Sequence, residues 1–345
     1  MPKNQITVAE SLDNIFFNIF SKHKDVIMMG LGINDPKNIF NTTKKVCKSF
    51  PKRVFDVPVS ENSITGIAIG CSFNKLRPIL THQRLDFSLL TFDQIINQAA
   101  KWLYMFDGKK SVPIVIRMIV GRGWGQGPQH SQSLHSFFSH IPGLKVEMPS
   151  NSENAASLMY ASVLDPNPVI FIEHRWLHNL KFNFSSNLKI EKIGKAKITK
   201  TGKDITIISC SYLTVEMLRL LPYLSENKID VELIDLQTIS PLDHATILKS
   251  VAKTRRVLVL DIGHSSFGIS GEIISKISEN LLEKLKYRPQ RIALPDIPTP
   301  TSYFLAKKYY PNRFNICKKI FSMLGIKKKV SNLIVDKDKF SDQPF

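Results

Sequence analysis

The chain has 345 residues, more than one small domain needs and enough for two. Hydrophobic residues at 43% and charged residues at 22% are an ordinary globular balance, which sets aside disordered and fibrous chains. Lys+Arg 47 against Asp+Glu 29 gives a net charge of +18, which excludes an acidic solvating protein and raises nucleic acid as a partner.

DVIMMG at 25–30 predicts a first strand. In VFDVPVSENSITGIAIG (54–70), Glu61 follows a strand-like segment and precedes Gly66 and Gly70, whose spacing lets a helix pack closely. A carboxylate there lies at the carboxyl edge of a parallel sheet, where open α/β sheets bind ligands; a capping box begun by Ser60 explains it equally. A strand at 78–81 runs into THQRLDF, which gathers His82, Arg84 and Asp86 at the same edge, either as site residues or as a salt-bridged surface turn. Apolar positions at 89–104 recur at helical spacing. VPIVIRMIV at 112–120 suits a strand covered on both faces.

GRGWGQGPQHSQ (121–132) cannot be helix or central strand and so leaves the sheet as a loop ending near His130. It matches neither a Walker phosphate loop nor a dinucleotide fingerprint. Close approach to a ligand and a purely structural turn both remain open. A helix at 153–164, with N-cap candidates at 150–152, leads to SVLDPNPV, an oxygen-rich turn able to hold a cation or simply to stop the helix. NPVIFIE (167–173) is another buried strand, and this alternation predicts a parallel sheet with helices on both faces, over 1–185.

A Lys-rich connection with a short β element occupies 186–203. A second α/β domain follows over 204–320, with strands at 204–209, 231–236 and 256–261 and helices at 213–224, 244–254 and 271–284. DIGHSSFGISGE (261–272) has the setting of an anion-binding helix start and equally of a tight βα turn. Between Lys307 and Lys329 there are eight basic residues and no acidic one; a terminal helix packed on the domain, then a solvated basic tail at 321–345, is the plain reading. Docking of an acidic partner or of a membrane surface are its alternatives. No apolar run approaches the ~20 residues of a membrane span. The start carries no secretory stretch, and four scattered cysteines point to reduced thiols and a cytoplasmic location.

In order, VSE, DQIINQAAK, PIVIR, the glycine loop ending QHSQ, PGLKVEMPSN and NPVIFIEH resemble the beta subunit of the 2-oxo acid dehydrogenase first component, of pyruvate and branched-chain type, a transketolase-like family. IGKAKITKTGKDITIIS, DVELIDLQTISPLD and DIPTPTSYFLAKKY resemble its second half, so the likeness covers roughly 20–310. It implies two doubly wound α/β domains: a transketolase-like pyrimidine-binding domain followed by a transketolase C-terminal domain. It implies thiamine diphosphate as cofactor and an alpha subunit, in an α2β2 assembly, that holds the diphosphate and Mg2+. The chain's lack of the diphosphate motif's GDG agrees with that division.

By the same resemblance Glu61 is the cofactor-activating glutamate. A carboxylate bonded to a ring nitrogen of the aminopyrimidine favours the imino tautomer, whose nitrogen then takes the proton from the thiazolium carbon. His130 matches a histidine for substrate binding and proton transfer. Leu85 stands where an aromatic commonly packs on the aminopyrimidine, and His82 enters the cofactor pocket. Ile114, Ser162, Val163, Asp165 and Asn167 match a structural potassium site. Departures are Gly30-Leu31-Gly32 in place of Gly-Glu, the HQRLDF turn, and the GRGWGQG loop. The leading reading is decarboxylation of a 2-oxo acid and transfer of the acyl or aldehyde unit to an acceptor, a lipoyl acyltransferase core being the expected one. A split transketolase-like or acyloin-forming subunit and a non-catalytic scaffold are the alternatives. No recognised nucleic-acid-binding pattern supports the nucleic-acid reading.

Overall fold

The computed structural model describes residues 4–185 and 187–330. The chain divides into two compact units, Met1–Gly121 with Gln129–Ile193 and Thr238–Pro241, and Arg122–Pro128 with Gly194–Gln237 and Leu242–Phe345. The glycine-rich segment and one short strand are therefore exchanged relative to a simple division of the sequence near 185 and 204.

The first unit is built on strands β1 (Asn4–Thr7), β2 (Val26–Gly30), β3 (Val54–Asp56), β4 (Arg77–His82), β5 (Val115–Val120), β6 (Lys145–Glu147), β7 (Val169–His174) and β8 (Lys181–Phe184). The second contains β9 (Lys197–Lys200), β10 (Ile205–Ser209), β11 (Val231–Asp235), β13 (Val257–His264) and β14 (Gln290–Leu294), while β12 (Thr238–Ser240) returns to the first. The main sheet of the first unit has the order β12-β6-β7-β5-β4-β2-β3. Six strands are parallel and β12 joins β6 antiparallel. β1 and β8 pair apart from it.

Strands β2, β5 and β7 are buried throughout, which is why their sequences are mainly apolar and do not alternate, the buried pair Arg117 and Glu173 being an interruption in β5 and β7. The flanking helix Val8–Lys22 starts at a reciprocal Thr7–Glu10 capping box, and Ser152–Leu164 starts at the corresponding Asn151–Asn154 pair. The second unit orders its strands β14-β13-β10-β11-β9, with only β9 antiparallel. The Lys-rich connection thus supplies its edge strand, with Lys197 exposed, as suits an edge that must not recruit another chain.

Two expectations change. The segment 89–104 is not one helix but a 3-10 stretch Leu85–Thr91, a π-helical stretch Asp93–Ala99 and a short helix Trp102–Met105. Its apolar positions are not one stripe: Ile95 and Ala99 are buried, while Leu90 and Tyr104 are exposed. The basic end does form a helix, Arg313–Met323, which buries Ile316, Ile320 and Phe321 and stacks Phe321 against Tyr223 at 6.4 Å. The expected solvated tail lies partly outside the described residues, from 331 onward.

Buried inside the first unit is a polar cluster centred on Arg117. Arg117, mid-strand in β5, forms a two-pronged ion pair with Glu173 of β7, one prong at 2.8 Å, and donates to Thr42 Oγ1 at 2.8 Å. His178 Nε2 lies 2.8 Å from Glu173. Burial alone would raise the Glu173 pKa, but Arg117 and His178 hold it at about 2.

Candidate functional site

Register sets the site. In neighbouring strands Gly30 lies opposite Thr81, His82 opposite Met118, and Val120 opposite His174, so β2, β4, β5 and β7 end at a common carboxyl edge. A cleft with about 330 Å³ of empty space opens there. Its apolar walls are Leu31, Val57, Pro58, Ile64, Leu80 and Phe87; its polar groups are Glu61, Thr81, His82 and Gln83.

Glu61 is the first residue of the helix Glu61–Phe73. The capping-box alternative does not hold, because the Ser60 side chain makes no capping bond. The Glu61 carboxylate is half-buried and has no ion-pair or hydrogen-bond partner among the described residues. His82, at the end of β4, is 5% exposed with Nε2 unpartnered, and burial pushes its pKa down to about 4. Thr81 Oγ1 is buried and unpartnered as well. Gln83 donates to the Leu31 carbonyl at 2.7 Å, which fixes the first loop against the end of β4.

The HQRLDF turn is not a salt-bridged surface turn. Asp86 is buried and accepts from the Gln132 backbone N–H at 3.2 Å and from its side-chain amide at 2.9 Å. His130 meets Phe87 edge to face at 5.5 Å. The two motifs, some 45 residues apart in sequence, are therefore one structure, and His130 reaches the cleft wall through Phe87. Leu85 is 0% exposed and absent from the lining; its carbonyl accepts from Ser88 Oγ at 2.6 Å. The aromatic ring on the cleft belongs to Phe87, a shift of two positions that sequence order alone does not reveal.

Other candidates find structural roles. Within the glycine loop, a Cβ at Gly123 or Gly127 would fall 2.6 Å from Tyr310 or 2.3 Å from Thr301, and both glycines have positive φ. Gly125 donates to the Thr301 carbonyl at 2.9 Å. These glycines serve close packing of the chain on itself. In the turn after Asp261, that carboxylate accepts from the Gly263 and Ser270 backbone N–H groups at 2.8 and 2.9 Å, so the helix start already has its anion.

The proposed potassium positions do come together. Val163 and Asp165 offer their carbonyls to Arg77 at 2.9 and 3.3 Å, and the Ile114 carbonyl accepts from Val169 at 2.9 Å. The Asp165 carboxylate pairs with Lys145 and accepts from Asn167 at 2.9 Å; the Ser162 hydroxyl donates within a pair with Glu147 at 2.7 Å. The Asp165 and Ser162 side chains are thus committed, and the Asn167 side-chain oxygen and second lone pairs of backbone carbonyls remain for a cation. Among the described residues no group of three His, Cys, Asp or Glu side chains could hold a metal ion.

An apolar slot with an unpartnered carboxylate and two unpartnered polar atoms fits a flat heteroaromatic ring with a polar edge. Comparisons with known proteins point the same way. The family model for the transketolase pyrimidine-binding domain matches residues 4–180, and that for the transketolase C-terminal domain matches 194–316. The chain is 36% identical over 312 residues to a pyruvate dehydrogenase E1 component subunit beta-2, mitochondrial, of rice (Oryza sativa), covering 89% of this chain and 83% of that one. It is 34% identical to the E1 subunit beta of Rickettsia bellii, covering 94% and 100%. It is 35% identical to the beta subunit of an acetoin:2,6-dichlorophenolindophenol oxidoreductase of Cupriavidus necator, covering 84% and 87%. A split-gene transketolase, described as an inactive beta4 tetramer, shares the fold with a TM-score of 0.77 at 18% identity, over 94% and 99% of the two chains. The chain therefore belongs to the transketolase-like family of pyruvate dehydrogenase E1 beta subunits.

Proposed function

We propose that this chain is the beta subunit of a thiamine diphosphate-dependent 2-oxo acid dehydrogenase, active with an alpha subunit in an α2β2 assembly. The observation that carries the reading is Glu61: a carboxylate without an internal partner, on a cleft with apolar walls, at the carboxyl edge of a parallel sheet. When bound, thiamine diphosphate supplies the carbon nucleophile and the electron sink for decarboxylation.

This chain's residues position and protonate. Glu61 holds a proton between its carboxylate and a ring nitrogen of the aminopyrimidine. Leu31, Ile64 and Phe87 clasp the flat ring and exclude water from it. His130, beside Phe87, binds the substrate and moves a proton during acyl transfer. The diphosphate and Mg2+ fall to the alpha subunit, because this chain lacks the GDG motif. Potassium, held at Ile114, Ser162, Val163, Asp165 and Asn167, would stabilise the turn and not react. The acceptor is a lipoyl group on an acyltransferase core. The cytoplasm is the proposed compartment, on the strength of four cysteines that form no disulfide. Among the described residues no helix is long and apolar enough to cross a membrane.

Co-expression with a GDG-bearing partner, followed by a screen of 2-oxo acids with thiamine diphosphate and Mg2+, tests the reading. CO2 release from one 2-oxo acid is expected, and reductant appears only when a lipoyl domain is added. A pair that consumes no 2-oxo acid contradicts it.

A further inference from the structure

His82 is the cleft residue whose chemistry the preceding account leaves unused. Its side chain ends β4, lines the cleft with Glu61, and is 5% exposed with no partner for Nε2. Thr81 Oγ1, the next polar atom along the strand, is buried without a partner too. A buried polar atom left unbonded is a net cost to the fold, and a phenylalanine or leucine at either place would avoid it. Both residues line the cleft, and the unpartnered His82 nitrogen is accounted for if a ligand completes its bond.

The type of ligand group follows from the state of the ring. Burial keeps the imidazole uncharged at neutral pH, so it is not a cation for a carboxylate or a phosphate. An uncharged imidazole offers one N–H donor and one nitrogen acceptor, and it matches an N–H, a ring nitrogen or a hydroxyl. We propose that His82 is a ligand-recognition residue of the cleft, its Nε2 making one hydrogen bond to an uncharged polar group of the molecule that Glu61 engages. This rests on the reading that the cleft takes the aminopyrimidine of thiamine diphosphate, whose polar edge is the expected source of that group. A hydroxyl on the substrate's carbon chain has the same chemistry, and the experiment separates the two.

The assembled two-chain enzyme is titrated with thiamine diphosphate and Mg2+ without substrate, binding being followed by calorimetry; KM for the 2-oxo acid is measured separately. His82→Phe should weaken cofactor binding by roughly ten-fold, the loss of one hydrogen bond. His82→Gln, whose amide nitrogen reaches the position of Nε2, should restore most of it. An unchanged Kd with a raised KM for the 2-oxo acid assigns the bond to a substrate hydroxyl. Unchanged Kd and KM overturn the proposal while leaving the reading of the cleft intact. Failure of the unmutated pair to bind thiamine diphosphate overturns that reading as well. A second measurement guards against a structural explanation: without ligand, the full-length His82→Phe chain should melt at the same or a higher temperature. A lower one would mean that the imidazole is bonded within the fold, and would overturn the proposal.

Discussion

Two sets of polar groups in the first unit differ in how far they bond within the protein. Around Arg117 the charged groups bond within the protein, guanidinium on carboxylate, carboxylate on imidazole, and a threonine hydroxyl taking a further N–H, with Arg117 Nη1 and His178 Nδ1 left over. Along the cleft, the Glu61 carboxylate, Thr81 Oγ1 and His82 Nε2 have no partner among the described residues. The first set sits within the strands; the second sits where β4 ends and the helix Glu61–Phe73 begins. Desolvated polar groups that are satisfied internally hold a fold together. On the proposed reading, the groups left open at the sheet edge are the half of a site that a ligand completes.

The comparison can be broken most severely at Glu61. Glu61→Gln should lower turnover of the assembled enzyme by roughly 10²–10⁴-fold, while its melting temperature stays within a degree or two of the parent, since no internal bond is lost. A large fall in stability would move Glu61 into the structural set. Next comes Arg117→Met, which strands Glu173 in the interior; it should cost about 3–5 kcal/mol in urea unfolding. The double change Arg117→Met with Glu173→Leu should recover much of that. If the single change costs little, the cluster is not bonded in the way described.

A smaller effect comes from Glu147, buried at β6 with one oxygen on Ser162 and the other unpartnered. Burial raises its pKa from 4.5 to about 8, the Ser162 bond opposing only in part. The folded chain therefore binds a proton there that the unfolded chain has released, and stability falls as pH rises from about 4.5 to about 8. Glu147→Gln should flatten that fall in melting temperature and leave the acid end unchanged. An identical pH profile in the two proteins would count against a protonated Glu147.

Much of the fold was legible because parallel strands buried on both faces leave mainly apolar runs, as in 112–120 and 167–173. The place of Glu61 between strand and helix was legible as well. The cleft's aromatic was not: Leu85 and Phe87 are two positions apart in an irregular turn, and only the Asp86–Gln132 and Phe87–His130 contacts show which one lines the site. The glycine loop was ambiguous in a different way, since four glycines fit ligand approach and tight packing alike; Tyr310 and Thr301 account for Gly123 and Gly127 by packing. The exchange of Arg122–Pro128 and Thr238–Pro241 between units leaves no mark in composition.

The central claim is that Glu61 drives the first proton transfer of the cofactor. The most direct measurement is exchange of the thiazolium carbon's proton for deuterium in the assembled pair, by rapid quench in D2O. Fast exchange that slows by roughly 10²–10⁴-fold in Glu61→Gln is the predicted result; equal rates in the two proteins would contradict it.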